Sequence, residues 1–215
     1  MGVPSFTAYR ALFTRGNAQP GDSVFIHGAT GAVGLSAVQF AKDMGLFVVG
    51  SSGSTEGEQL LRGIGCDEVV CHREEGYLDR LLEIRPEGFN LCLEMLANIN
   101  LGKDLPIMAR HGRVMVIGSR GEVNINPRDC MMKEVDVRGV FLFQSTPEEL
   151  WRMGRFMYSK MENGVLRPFV GKRYALSDAP LAHDDVIERP NNLLGNIVLI
   201  PEESDEFIEE MKQIG

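Results

Sequence analysis

Short apolar runs alternate along this chain with stretches in which apolar residues recur three and four positions apart, the pattern of strands alternating with amphipathic helices. The clearest instance begins at Ser23-Val24-Phe25-Ile26-His27, a run of β-formers without acid, lysine or arginine. It passes through Gly28, Gly31 and Gly34, spaced G-x-x-G-x-x-G, and continues with Leu35, Val38 and Ala41 at helical spacing. This predicts strand, tight turn and helix. In such a unit the first glycine supplies unusual dihedrals, the second lets backbone N–H groups approach a ligand, and the third lets the helix pack on the strand. The helix start at Thr30, Gly31, Ala32 and Val33 then offers free N–H groups and a positive dipole end, suited to a pyrophosphate.

The other elements follow the same alternation. A helix is predicted over Phe6 to Phe13, with Pro20-Gly21 turning the chain into the first strand. Gly45 is placed as a helix C-cap before a strand from Leu46 to Val49, and Thr55-x-x-Glu58 reads as a capping box opening a helix through Leu60, Leu61 and Ile64. A third strand, Glu68 to Cys71, and a helix from Tyr77 to Ile84 lead to a fourth strand, Phe89 to Leu93. A helix over Asp104 to Arg110 holds Pro106 in its first turn and is capped by Gly112, and Arg113 to Gly118 and Val135 to Phe143 are the fifth and sixth strands. Thr146-Pro147-Glu148-Glu149 starts a long helix that Gly164 stops. Beyond it come an irregular strand (Arg167 to Ala175), a short helix (Ala179 to Ile187), a closing strand (Gly195 to Ile200) and an acidic terminal helix presenting Phe207, Met211 and Ile214. Strand and helix in this rhythm require crossover connections, so the fold class is α/β: a doubly wound, parallel, six-stranded Rossmann sheet covered on both faces.

Charge narrows the function classes. The net charge is −8, and residues 202–215 hold six acids against Lys212, so the body of the chain is near neutral and no basic stripe speaks for RNA or DNA. No apolar run is long enough to span a bilayer and no secretory signal is visible at Met1 to Arg15, which predicts a cytoplasmic protein without membrane contact. Cys66, Cys71, Cys92 and Cys130 lack metal-type spacing and read as reduced, mostly buried thiols, so no metal ligand is assigned.

The candidate chemistry sits where strands end. An acid after the second strand would hold the ribose hydroxyls of NAD(H), but Gly50-Ser51-Ser52-Gly53-Ser54 has none before Glu56, which favours NADPH unless this loop is only a turn. His72 and Arg73, after the third strand, either meet an adenosine phosphate or form a solvated pair. Asn98 and Asn100 follow the fourth strand and Gly118-Ser119-Arg120 the fifth; Arg120 either pairs with a phosphate or caps its loop. His27 reads as a packed core histidine, and no catalytic residue is assigned.

Thr7-Ala8-Tyr9-Arg10-Ala11-Leu12, His27 to Gly34, His72-Arg73-Glu74, Glu94-Met95-Leu96-Ala97-Asn98, Gly118-Ser119-Arg120 and Ile125-Asn126-Pro127-Arg128-Asp129 together resemble the zeta-crystallin-type NADPH:quinone oxidoreductases of the medium-chain dehydrogenase/reductase superfamily, over Gly2 to about Ile200. The resemblance implies a zinc-independent, one-electron reduction of quinones by NADPH in a homodimer or homotetramer, with RNA binding as an alternative class that the charge does not support. Carried over, the cofactor contacts fall on Thr30, Gly31, Ala32, Val33, Gly53, His72, Asn100, Ile117, Gly118, Ser119, Arg120, Val140, Phe141 and Leu142. The family has a lysine near the adenosine phosphate where this chain has Gln59. The resemblance also implies that a preceding catalytic domain is missing, so that residues 1–164 form the NADP-binding domain, 165–201 a returning part of the catalytic domain and 202–215 an acidic tail. The apolar run Val140 to Phe143 is then expected to pair two copies through an open sheet edge.

Overall fold

Six strands, β1 (Ser23–Ile26), β2 (Phe47–Ser52), β3 (Glu68–Cys71), β4 (Phe89–Glu94), β5 (Met108–Val116) and β6 (Asp136–Gly139), form one sheet in the order β3-β2-β1-β4-β5-β6. Every neighbouring pair is parallel. The computed structural model describes residues 2–188 and 193–201, and the chain divides into two units, Met1–Arg167 and Pro168–Gly215.

In the first unit the connecting helices cover both sheet faces. One face buries Phe25, Val49, Val70, Cys92 and Val114 against Leu81 of α4 (Tyr77–Ile84) and Leu105 of α5 (Ala97–Ile107). On the other lie α2 (Ala32–Asp43) and α3 (Thr55–Gly63); a Cβ on Gly50 would stand 3.2 Å from Leu61 of α3 and 2.9 Å from Ala29. The N-terminal helix α1 (Gly2–Tyr9) runs into a π-helical turn, Arg10–Arg15, where sequence reading expects one regular helix over Phe6 to Phe13. Its Tyr9 and Phe13 stack with Phe156 of α7 (Pro147–Glu162), at 4.9 and 5.6 Å between ring centroids, and Phe156 meets Phe40 of α2. The capping box of α7 forms as expected, with Thr146 and Glu149 bonding each other's backbone N–H; buried Arg10 then reaches Glu149 Oε2 at 2.6 Å, tying the first helix to the start of α7.

Three expectations are corrected. The helix before β5 starts at Ala97 rather than Asp104, because Ala97, Leu101 and Leu105, four apart, form its inner face; Pro106 therefore sits in its last turn. The strand begins at once, at Met108, and its pairing with β4 is irregular before Arg113, where His111 adopts φ 60°. Helix α3 is capped by Ser54, whose Oγ accepts from Gly57 N at 3.1 Å, so the box expected from Thr55 lies one residue off. The sixth strand stops at Gly139. Val140 donates once more to Val116 O, but Leu142–Gln144 turns into a 3-10 helix, so within the chain the apolar run Val140 to Phe143 is not the continued strand expected. The edge that remains is short and carries Asp136 and Arg138, a composition that discourages edge pairing.

A helix absent from the sequence reading, α6 (Pro127–Lys133), is capped by Asn126 with Pro127 in its first turn. The second unit pairs β7 (Val170–Ala175) with β8 (Asn196–Ile200) in parallel, with α8 (Ala179–Glu188) between them in the chain. The expected acidic helix at Phe207 to Ile214 lies outside the described residues. Among the described residues no helix is long and apolar enough to cross a membrane.

The contact between β1 and α2 depends on Gly34, whose added Cβ would lie 2.5 Å from Ala29 Cα and 2.6 Å from Ala29 O. Backbone cannot swing aside as a side-chain tip does. Gly34→Ala is expected to lower stability by about 1–3 kcal/mol, read from the urea midpoint; an unchanged midpoint would show that the turn opens freely.

Candidate functional site

Because all six strands run the same way, the residues after their carboxyl ends gather at one edge of the sheet. Thr30 to Val33 follow β1, Gly53 follows β2, His72 follows β3, Asn100 follows β4, Ile117 to Arg120 follow β5 and Val140 to Leu142 follow β6. The order of the strands reverses between β1 and β4, the place where such sheets leave a crevice for a ligand.

The glycine turn is built for a close ligand. Gly28 takes φ 54°, and its N–H donates to Ser51 Oγ at 3.0 Å while Ala29 N donates to Ser51 O. Gly31 is the N-cap of α2 and no side chain caps that helix. A Cβ on Gly31 would touch only Gly28 O, at 3.3 Å, leaving the space over the helix end to a bound group. Beside it, Gly53 faces His72 and Arg73: a Cβ there would lie 3.1 Å from His72 Nε2 and from Arg73 Nε. Burial and the neighbouring Arg73 charge pull His72 below the usual histidine value. Thr30 packs by its methyl group near Gly57, so α2 and α3 start side by side. Gly50, Ser51 and Ser52, expected in a loop after a strand ending at Val49, are the last residues of β2, and the serines here are largely used internally. Ser51 and Ser52 are buried, Ser52 Oγ donates to Ser54 O, and Ser54 serves as a cap.

The turns after β4 and β5 are joined to each other. Ala97 N donates to Gly118 O, Arg120 N to Asn98 Oδ1 at 2.9 Å, and Gly118 leaves only 2.4 Å between a virtual Cβ and Met95 O. Ser119 Oγ donates to Gly121 O, and Arg120 projects as an exposed cation. Asn100 is turned inward on α5, its Nδ2 3.3 Å from Glu94 Oε1. Val140 is buried, whereas Phe141 is 60% exposed.

Sequence reasoning missed a buried cluster beneath these turns. His27 follows Phe25 on the same face of β1, Cys92 and Glu94 share that face of β4, and Asp104 points in from α5. His27 Nε2 lies 2.7 Å from Asp104 Oδ1 and 3.2 Å from Glu94 Oε2. Both carboxyls are fully buried, and burial pushes each up to about 7. Desolvation lowers His27 and raises Cys92 well above the thiol range. The available signal was Glu94 itself, a lone acid closing the otherwise uncharged strand Phe89-Asn90-Leu91-Cys92-Leu93.

Among known proteins, the family signature described as zinc-binding dehydrogenase matches residues 32–157. The human quinone oxidoreductase is 42% identical over 201 residues, 93% of this chain and 61% of the relative; the mouse protein of that name is 43% identical over 190 residues. This chain thus spans about three-fifths of these relatives' length. The Escherichia coli quinone oxidoreductase complexed with NADPH superposes with a TM-score of 0.82 at 27% identity, covering 93% of this chain and 63% of the other. The quinone oxidoreductase of Thermus thermophilus, solved alone and with NADPH, gives 0.82 at 28%, covering 93% and 64%. The family description names zinc, and His27, Cys92, Glu94 and Asp104 bring four donor atoms within 4.8 Å of one another. They do not fit a zinc ion. With metal–ligand bonds of about 2.0–2.1 Å, tetrahedral ligands sit roughly 3.3 Å apart, whereas His27 and Asp104 are in hydrogen-bond contact at 2.7 Å.

Asn98 is the side chain that joins the two turns. Asn98→Ala is expected to speed hydrogen exchange at the Arg120 amide while costing only about 1 kcal/mol of stability; unchanged exchange would mean that the turns hold without it.

Proposed function

Because this chain belongs to the zinc-binding dehydrogenase family of the medium-chain dehydrogenase/reductase superfamily, we propose that it is the cofactor-binding portion of an NADPH-dependent, zinc-independent quinone oxidoreductase. The observation that carries this reading is the glycine turn, a helix start without a side-chain cap where a Cβ on the second glycine would meet only Gly28 O. The N–H groups of Ala32 and Val33 and the dipole of α2 hold the pyrophosphate. No acid stands between the end of β2 and Glu56 to repel a 2′-phosphate, and His72 and Arg73 flank Gly53 there. Ser51 and Ser54 accept from backbone amides and Ser52 donates to Ser54 O, so the phosphate relies chiefly on His72 and Arg73. Asn100, the Ile117 to Arg120 turn and the Val140 to Leu142 segment form the wall along the nicotinamide half.

When bound, the dinucleotide supplies the reducing equivalents. The chain's own part is orientation and exclusion of water, with no protein acid or base assigned to the reaction. A quinone would meet the reduced ring in a cleft completed by a catalytic domain, of which residues 165–201 are the returning part. Association of two copies belongs to the same proposal, and the exposed Phe141 and Phe143 beyond β6 offer it an apolar surface.

Calorimetric titration tests the cofactor assignment. NADPH is expected to bind about tenfold or more tighter than NADH, the equivalent of one charge-assisted hydrogen bond, and Gly31→Leu to abolish both. A preference for NADH, or binding of AU-rich RNA in place of either dinucleotide, would overturn the assignment. Quinone turnover by this chain alone is expected to be low, because half the cleft leaves the nicotinamide open to water. Turnover matching that of a full-length relative would show that the other domain is dispensable.

A further inference from the structure

Two carboxyls and a histidine buried together pose a charge problem, and the hydrogen-bond pattern around Glu94 points to how it is solved. Glu94 Oε1 receives two donors, the Leu96 N–H and Asn100 Nδ2. Glu94 Oε2 is fully buried and receives none, and Asp104 Oδ2 is likewise buried without a partner. With the neutral His27 ring assigned the tautomer protonated at Nε2, its single donor is spent on Asp104 Oδ1 at 2.7 Å, leaving Glu94 Oε2 at a longer 3.2 Å. Two buried acceptors facing one another without a donor are costly. A proton on Oε2 makes that oxygen the missing donor toward Asp104, and Oε1 keeps the carbonyl role that its two donors already give it.

We propose that Glu94 and Asp104 hold one shared proton, carried chiefly by Glu94 as a neutral carboxylic acid up to neutrality, and that this buried proton is a positioning element for the turn Met95 to Asn100 at the ligand crevice. Through Oε1, Glu94 fixes the Leu96 amide and Asn100; through Oε2 it joins α5 to β4, while His27 joins Asp104 to β1 next to Gly28. The groups that face the pair from every side are His27 on β1, Cys92 on β4, Lys103 and Asp104 on α5, Tyr77 at the start of α4 and, further out, His72 after β3. Burial raises Asp104 as well, but the hydrogen bond with Glu94 and then the Lys103 charge favour its ionised form, which leaves the proton with Glu94.

The sign of the pH dependence follows. Both acids release protons more easily unfolded, so the stability they contribute is present at low pH and is lost as pH rises through about 7. A polyanionic dinucleotide lying over the same turns holds the proton more tightly, so by linkage its dissociation constant rises with pH, at most about tenfold per unit for one proton. This last step rests on the NADPH reading; the protonated acid does not.

Infrared difference spectra of the whole chain, titrated from pH 6 to 9, are the first test. A carboxylic-acid C=O band that disappears through neutrality, and is missing in Glu94→Gln, is the expected result. The wild-type melting temperature should fall from about pH 4, where the unfolded carboxyls titrate, to about 7 and level off above, with a flatter profile in Glu94→Gln, and Leu96 amide protection should fall as the band is lost. Asp104→Asn is the second variant; if either fails to fold, the wild-type titration still decides. No acid band at pH 6, a band that persists in a folded Glu94→Gln protein, or a stoichiometric metal ion that chelators remove with loss of melting temperature overturns the proposal. If NADPH does not bind at any pH while the band, melting slope and Leu96 protection behave as stated, the cofactor reading fails and the proton assignment stands.

Discussion

Parallel strand pairing is the constraint from which the rest of this structure follows. A parallel neighbour cannot be reached by a tight turn, so each connection must cross back over the sheet, and the crossings here are helices that bury both faces. The same requirement places every segment after a strand at one edge. Residues as distant in sequence as Thr30 and Leu142 thereby share a rim, and strand order reverses between β1 and β4, the place where sheets of this kind leave a crevice.

At that rim, backbone approach matters more than reactive side chains. Gly34 brings α2 onto β1, Gly118 brings the β5 turn onto Met95, and Gly53 leaves room beside His72 and Arg73. The absence of side chains at these points is what lets N–H groups and carbonyls meet each other or a ligand. An arrangement of this kind orients a bound molecule and shields it, consistent with a reaction whose chemistry resides in the cofactor.

Below the rim the structure accepts a polar core. Glu94, Asp104 and His27 occupy positions that apolar residues would fill at less cost, since burying ionisable groups disfavours their charged forms. What they provide is direction: Glu94 fixes the Leu96 amide and Asn100, and His27 ties Asp104 to the strand that enters the glycine turn. Apolar packing would hold α5 against the sheet without specifying the turn in this way.

The sequence by itself determined the fold class, the glycine turn and the ends of β3, α4 and α7, because those features rest on local signals: apolar periodicity, glycine spacing, and a capping box whose partners lie three residues apart. Tertiary structure decided the rest. Pro106 looked like a helix start because proline is tolerated there, yet the inner face formed by Ala97, Leu101 and Leu105 pulled the helix seven residues earlier. Val140 to Phe143 read as a strand by composition, but strand pairing needs a partner's backbone, and β5 supplies it only as far as the bond from Val140 N to Val116 O. The carboxyl cluster was illegible for the same reason. His27, Glu94 and Asp104 are far apart in sequence, and only the packing of α5 across β1 and β4 sets their charges within hydrogen-bonding distance.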